Sequence, residues 1–343
     1  MSFRAMRLKY LFKVFIFFLC AESATYTVCA QATGLNNKRA KDEPSISWVC
    51  KLPEIRETKK KPTFLKSLFE LITGKNSRKA VVRPVAVYAN STKDMVVLDQ
   101  GLENIVQLKK KSTDVMKATR NKEHYFTSLV GLCRMNNGDY LFTDSRLNKV
   151  FVIGSNNKLK VLNDTLKLEQ PTGIAYSGVT DEIWVVETNA HRISILDRNG
   201  GLVKTIGSRG DEHGQFNYPT SVWIDKSGEA FVVDAMNFRV QIFDKNGNFE
   251  TLFGELGDGS GYFARPKGIA TDEFGNIYVA DAQFHVIQIF DKKGEFLYRF
   301  GSQGQNNEEF WMPSGIYIDK ENYIYVADTY NSRIQVFKLI NGS

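Results

Sequence analysis

Short apolar runs, each ended by a turn, fill the second half of this chain. Between Pro266 and Gly304 the runs are Gly268–Thr271, Asn276–Ala280, Val286–Phe290 and Phe296–Phe300. Val286, Gln288 and Phe290 share one face of the third run, while Ile287 and Ile289 share the other. Runs this short and rich in branched and aromatic residues predict β-strands. Asp272 to Gly275, Asp291 to Gly294 and Gly301 to Gly304 separate them. Glycine supplies a positive φ at such breaks, and aspartate bonds its own turn backbone.

The four-run pattern recurs along the chain. The stretches PTSVWIDKSGEAFVVDAMNFRVQIF, PKGIATDEFGNIYVADAQFHVIQIF and PSGIYIDKENYIYVADTYNSRIQVF begin at Pro219, Pro266 and Pro313, 47 residues apart. A clear copy starts at Pro171, and weaker copies start near Leu129 and Pro84. A period of this size marks a repeat architecture, and four antiparallel strands per repeat describe a propeller blade. One blade cannot bury both of its faces, so the six units are expected to stack radially into one closed ring.

The last unit ends after its third strand signal, Arg333–Leu339. A closed ring needs a fourth strand, and Ile46–Leu52 is the alternating apolar run available to supply it. Such closure removes an exposed sheet edge. The predicted fold is all-β: a six-bladed β-propeller of four-stranded antiparallel blades, closed by an N-terminal strand and preceded by a short N-terminal helix.

The string Pro-x-Gly-Ile-x-x-Asp, followed by Gly-x-Ile-Tyr-Val-Ala-Asp-x-x-Asn-x-Arg-Ile-Gln-Val-Phe, resembles the NHL repeat. Pro313–Phe337 and Pro266–Phe290 match best, then Pro219–Phe243 and Pro171–Leu196. The resemblance spans residues 81–343. The whole layout, including Phe64 to Gly74, resembles exported bacterial NHL propellers. It implies a scaffold whose function sits in loops that differ between blades.

The front of the chain predicts export. Arg4, Arg7, Lys9 and Lys13 precede an apolar run at Val14–Ala21, and small residues follow at Ala21–Ser23 and Val28–Ala30. This order describes a signal peptide over residues 1–30, with cleavage near 23/24 or 30/31. A retained membrane anchor, or lipidation at Cys20 or Cys29, is the alternative. Residues 31–80 form a basic segment holding the closing strand at 46–52 and a helix candidate at 64–72. Thr63 and Gly74 can cap that helix, whose apolar stripe predicts packing against the propeller or peripheral membrane contact through residues 59–72.

The whole chain holds 45 basic and 38 acidic residues. The basic excess falls before residue 84, which argues against a nucleic-acid binder, because such proteins place a basic stripe on the folded domain. The cysteines at 20, 29, 50 and 133 form no C-x-x-C pair. Cys50 falls in an outer strand and Cys133 in an inner one, too far apart for a disulfide, so both are expected to pack.

Asp99, Asp144, Asp234, Asp281 and Asp328 end the second strand of their blades, with Glu187 in that place in blade three. Five residues later stand Arg192, Arg239 and Arg333, with Lys149 in blade two and Val286 in blade five. An acid and a base at fixed repeat positions predict a structural ion pair, with Asp281 left without its usual partner. Asp244 to Asn248 faintly resembles a calcium loop, but its counterparts carry Lys, so it reads as a hairpin turn.

No nucleophile motif and no catalytic residue are predicted, and no cofactor is expected. NHL-like propellers include an amidating lyase with an axial metal, so an axial lyase or hydrolase is the alternative function. His191 and His285, on corresponding loops two blades apart, are its metal candidates. The preferred reading is an exported, monomeric, non-enzymatic scaffold for a protein or polysaccharide ligand. Phe216, Phe263 and Phe310 follow the repeat and read as structural. Tyr218, Met236, Phe238, Phe284, Trp311 and Tyr330 depart from it, yet fall in loops of one face. They are the predicted binding residues, since large aromatics on one face mark partner surfaces.

Overall fold

In the computed structural model, the described residues are 45–53, 80–109, 112–115, 126–154 and 158–340. The predicted signal peptide, the 64–72 helix and the basic stretch at 59–61 lie outside them. The first strand is β1 (Ser45–Leu52). Blade one then holds β2 (Pro84–Ser91), β3 (Asp94–Asp99), β4 (Asn104–Lys109) and β5 (Ser112–Val115). Blade two holds β6 (Leu129–Arg134), β7 (Tyr140–Asp144), β8 (Lys149–Ile153) and β9 (Leu159–Val161). Blade three holds β10 (Pro171–Ser177), β11 (Glu182–Glu187), β12 (Arg192–Asp197) and β13 (Leu202–Ile206). Blade four holds β14 (Pro219–Ile224), β15 (Ala230–Asp234), β16 (Arg239–Phe243) and β17 (Phe249–Phe253). Blade five holds β18 (Pro266–Thr271), β19 (Ile277–Asp281), β20 (Val286–Phe290) and β21 (Phe296–Phe300). Blade six holds β22 (Pro313–Ile318), β23 (Tyr323–Asp328) and β24 (Arg333–Ile340).

Six four-stranded antiparallel sheets form the ring, as the repeat predicts. The sixth has the order β1-β24-β23-β22, so the N-terminal strand closes it. Trp48 in β1 donates its indole N–H to Oε1 of Gln335 at 3.1 Å. Ile46 and Trp48 pack against the cluster between blades five and six.

The middle strands of each blade are buried on both faces, because neighbouring blades cover them. Every residue of β15, β16, β19 and β20 is buried. This explains their continuous apolar composition. The fourth strands β13 and β21 are largely exposed and correspondingly mixed. Six apolar clusters fill the six joints between blades, including the joint between blades six and one.

Two repeat features have direct packing reasons. The inner strands β2, β6, β10, β14, β18 and β22 pack side by side around the axis. A Cβ on Gly268 would lie 2.3 Å from the carbonyl oxygen of Ser314, and one on Gly315 would lie 2.4 Å from that of Val85. The glycine of Pro-x-Gly-Ile therefore permits backbone contact between blades. Phe216, Phe263 and Phe310 are fully buried, as expected of repeating positions. The Phe310 ring fills the space over Gly301, whose φ of 97° suits glycine. Burying each ring contributes roughly 1.5–3 kcal/mol.

Candidate functional site

The six repeating carboxylates are fully buried. Asp99, Asp144, Glu187, Asp234, Asp281 and Asp328 accept backbone N–H groups of Val82, Thr127, Glu169, Asn217, Ala264 and Trp311 at 2.6–2.8 Å. Each carboxylate thus ties down the segment entering its own blade. Arg192, Arg239 and Arg333 meet Glu187, Asp234 and Asp328 through Nε at 2.9, 2.8 and 2.7 Å. Arg333 also donates to the carbonyls of Gln305, Asn306 and Glu309. Arg239 makes the matching contacts to Asp211, Glu212 and Gln215. Burial raises the Asp234 and Asp328 carboxyls, and the amide and guanidinium donors pull them back. These groups are architectural.

Blade two departs from the expected pairing. Lys149 meets Asp164 at 2.5 Å instead of Asp144. Asp144 is held by backbone N–H groups of Thr127, Ser128, Arg146 and Leu147. A lysine lacks the forked guanidinium that reaches loop carbonyls and carboxylate together. Among the described residues no cationic side chain meets Asp281, which accepts four backbone N–H groups from Ala264, Arg265, Gln283 and Phe284.

The inner strands enclose an axial cavity of about 690 Å³. This lies within the usual range of roughly 300–1,000 Å³ for ligand pockets. The second residue of each inner strand lines it: Val85, Val130, Thr172, Thr220, Lys267 and Ser314. In blades three and six this hydroxyl meets a threonine at the end of the second strand. Thr172 pairs with Thr188, and Ser314 with Thr329, each at 2.7 Å. Blades four and five carry Ala235 and Ala282 at that end. The Thr220 hydroxyl is accordingly buried without a partner among the described residues.

Four cations line the cavity, Arg83, Arg134, Arg265 and Lys267, and no carboxylate does so among the described residues. Burial pushes the Lys267 ammonium down, and the like charge of Arg265 adds to the shift. The end opposite the inter-blade loops is aromatic. Tyr317 meets Tyr88 at 4.6 Å and Trp223 at 5.8 Å between ring centroids. Arg134 sits 5.3 Å from the Tyr140 ring centre.

The loops between second and third strands share a face with the loops between blades, and there the predicted binding residues separate into groups. Trp311 and Tyr330, 41% and 54% exposed, form a tilted pair with centroids 5.9 Å apart. Tyr330 also lines the cavity rim. Tyr218 and Met236 are exposed, and the Tyr218 ring meets His191 at a tilt with centroids 4.5 Å apart. Phe238 is half-buried against the cluster between blades four and five, and Phe284 is half-buried on blade five. Among the described residues, Trp311–Tyr330 is the one ring contact joining members of the predicted arc.

His191 and His285 each accept a backbone N–H on Nδ1, from Tyr218 at 3.2 Å and from Met312 at 3.0 Å. They join successive blades at two separate joints. Among the described residues no group of three His, Cys, Asp or Glu side chains is placed to hold a metal ion. Cys50 and Cys133 sit in β1 and β6, and neither is in a disulfide.

The cationic lining escaped the sequence reading. Its signal was present: Lys267 departs from Val, Val, Thr, Thr and Ser at the same place in the other blades.

Residues 310–337 match the NHL repeat, and residues 227–288 match a domain described as a 6-bladed beta-propeller. The chain thus carries an NHL repeat within a six-bladed β-propeller ring. No curated protein matches it in sequence. Solved structures share the fold. A virginiamycin B lyase from Staphylococcus aureus is 16% identical with a TM-score of 0.56, over 77% of this chain and 97% of that one. An auxiliary nutrient binding protein from Bacteroides thetaiotaomicron is 13% identical with a TM-score of 0.60, over 76% and 69%. A gluconolactonase from Xanthomonas campestris is 12% identical with a TM-score of 0.58, over 76% and 88%.

Proposed function

We propose that this protein is an exported binding scaffold, without catalytic chemistry of its own, holding a protein or polysaccharide ligand on the face that carries the inter-blade loops. Propellers of this fold include a lyase, a gluconolactonase and nutrient-binding proteins, so the fold does not choose among them. The site supports binding. Every repeating acid and its arginine is committed to holding blade-entry segments, and both metal candidates hold inter-blade joints. The observation that carries the reading is the Trp311–Tyr330 pair. These large rings stand in water, Tyr330 at the cavity rim and Trp311 beside it, while the repeating phenylalanines are fully buried. Trp and Tyr are favoured binding hot spots.

Alanine substitution tests this reading. The wild-type protein is used to isolate and identify its partner from the extracellular or periplasmic fraction. Trp311→Ala and Tyr330→Ala are each expected to weaken that partner's affinity by roughly thirtyfold, corresponding to about 2 kcal/mol. Melting temperature should stay nearly unchanged. Loss of stability without a separable binding defect would make the pair a packing feature. Export has its own check: the mature N-terminus from the native host is expected at residue 24 or 31. One bound metal per chain with His191 or His285 as ligand would instead favour the axial enzyme.

A further inference from the structure

The axial cavity carries an electrostatic asymmetry that the fold does not require. Three of its cations gather at the end where the inner strands begin. Arg265 immediately precedes β18, Lys267 is its second residue, and Arg83 immediately precedes β2. Blades five and one flank blade six, whose rim presents Tyr330 in a tilted ring contact with Trp311. Arg83 is steadied by the Gln100 side chain at 3.3 Å. Among the described residues, the side chains of Arg265 and Lys267 have no hydrogen-bond or ion-pair partner. Two like charges beside one another, lining a cavity without a carboxylate, raise the free energy of the unliganded protein. An oxyanion placed between them would relieve the repulsion and gain charge-assisted hydrogen bonds.

The rest of the rim describes the remainder of such a ligand. Gln100, Ser145 and Gln170 add polar side chains to the lining, while Tyr330 and Trp311 offer ring faces to solvent. Polar groups that meet hydroxyls, flat faces that meet a ring, and cations that meet an acid are together the chemistry of an acidic sugar.

We propose that the channel rim at blade six binds an anionic saccharide, with Arg265, Lys267 and Arg83 meeting its carboxylate or sulfate and Tyr330 and Trp311 meeting a sugar ring. This rests on the binding reading above and narrows its ligand class.

Calorimetric titration of the folded protein with trigalacturonate, a sulfated chondroitin disaccharide, maltotriose and a tetraglutamate peptide tests it. At least one acidic sugar is expected to bind, with affinity falling as salt rises, and maltotriose is expected not to bind. Whichever acidic sugar binds identifies carboxylate or sulfate as the preferred oxyanion. Arg265→Gln and Lys267→Met should each weaken that sugar by about tenfold, or about 1.4 kcal/mol. Removing one of two like charges is expected to leave the melting temperature equal or higher, so a binding loss cannot be ascribed to unfolding. Failure of both acidic sugars to bind overturns the proposal. Equal binding of maltotriose or tetraglutamate, or wild-type affinity in both charge variants, also overturns it. If the charge variants hold the partner normally while Trp311→Ala does not, the loop-face reading survives and the acidic ligand falls. If Trp311→Ala and Tyr330→Ala hold it normally, the loop-face reading itself falls.

Discussion

Met312 donates its backbone N–H to Nδ1 of His285 at 3.0 Å, across the joint between blades five and six. The same device recurs where His191 accepts from Tyr218 and Asn148 accepts from Gln170. His285, His191 and Asn148 all adopt a positive φ, as do the three donors Met312, Tyr218 and Gln170. An acceptor at this left-handed position turns the next blade's entry residue toward it.

That bond requires a neutral imidazole. Burial lowers the His285 pKa from its ordinary 6.5, although Asp328 and Asp281 pull it upward. Between the lowered value and 6.5 the unfolded chain binds more protons than the folded one. Stability is therefore expected to fall as pH drops through about 6.5, and to level off below the folded pKa. His285→Asn keeps an acceptor and tolerates the positive φ. It should remove this component of the pH dependence, read from melting temperatures between pH about 7.5 and about 5.

Gly268 and Gly315 face backbone atoms of the next blade. Gly268→Ala and Gly315→Ala are each expected to destabilise by about 1–3 kcal/mol, because the added methyl meets a carbonyl oxygen that cannot swing away. Ser221 occupies the equivalent place in blade four and already carries a Cβ. Ser221→Ala should be nearly neutral in the same denaturant titration.

Arg333 and Lys149 stand at equivalent repeat positions and have different partners. Arg333→Met leaves buried Asp328 without its counter-charge, at an expected cost of about 3–5 kcal/mol. Lys149→Met removes an exposed pair with Asp164 and is expected to cost under about 1 kcal/mol. Equal effects in chemical denaturation would contradict the different environments of the two bases.

Removing residues 45–52 unpairs β24 and opens the sixth sheet. An unpaired edge is a template for association. The shortened chain is expected to aggregate or oligomerise on size-exclusion chromatography, whereas a chain beginning at Ser45 should not. Trp48→Ala removes the Gln335 contact and the packing onto the blade five–six cluster. It should lower the melting temperature without changing blade count.

The sequence by itself determined the blades, their number and their closure. Strand chemistry is local: the Pro-x-Gly-Ile start, the buried Ile-Tyr-Val-Ala-Asp run and the Asp-to-Gly hairpins carry their meaning within one repeat, and repetition multiplied a weak signal. The role of the repeating acids was legible for the same reason, because a catalytic group has no cause to recur in every blade.

Only the tertiary structure decided what the non-repeating residues do. Phe238, Trp311 and Tyr330 look alike as departures in loops. Phe238 leans into a joint between blades, whereas Trp311 and Tyr330 stand in water, because exposure depends on the neighbouring blade and not on the residue's own. Lys149 looked like the blade-two counterpart of Arg333, yet its ammonium reaches Asp164. The axial cavity could not be read from any single repeat. Its charge is set by residues from separate blades, some more than 180 positions apart in sequence, as Arg83 and Lys267 are, and only ring closure brings them to one rim.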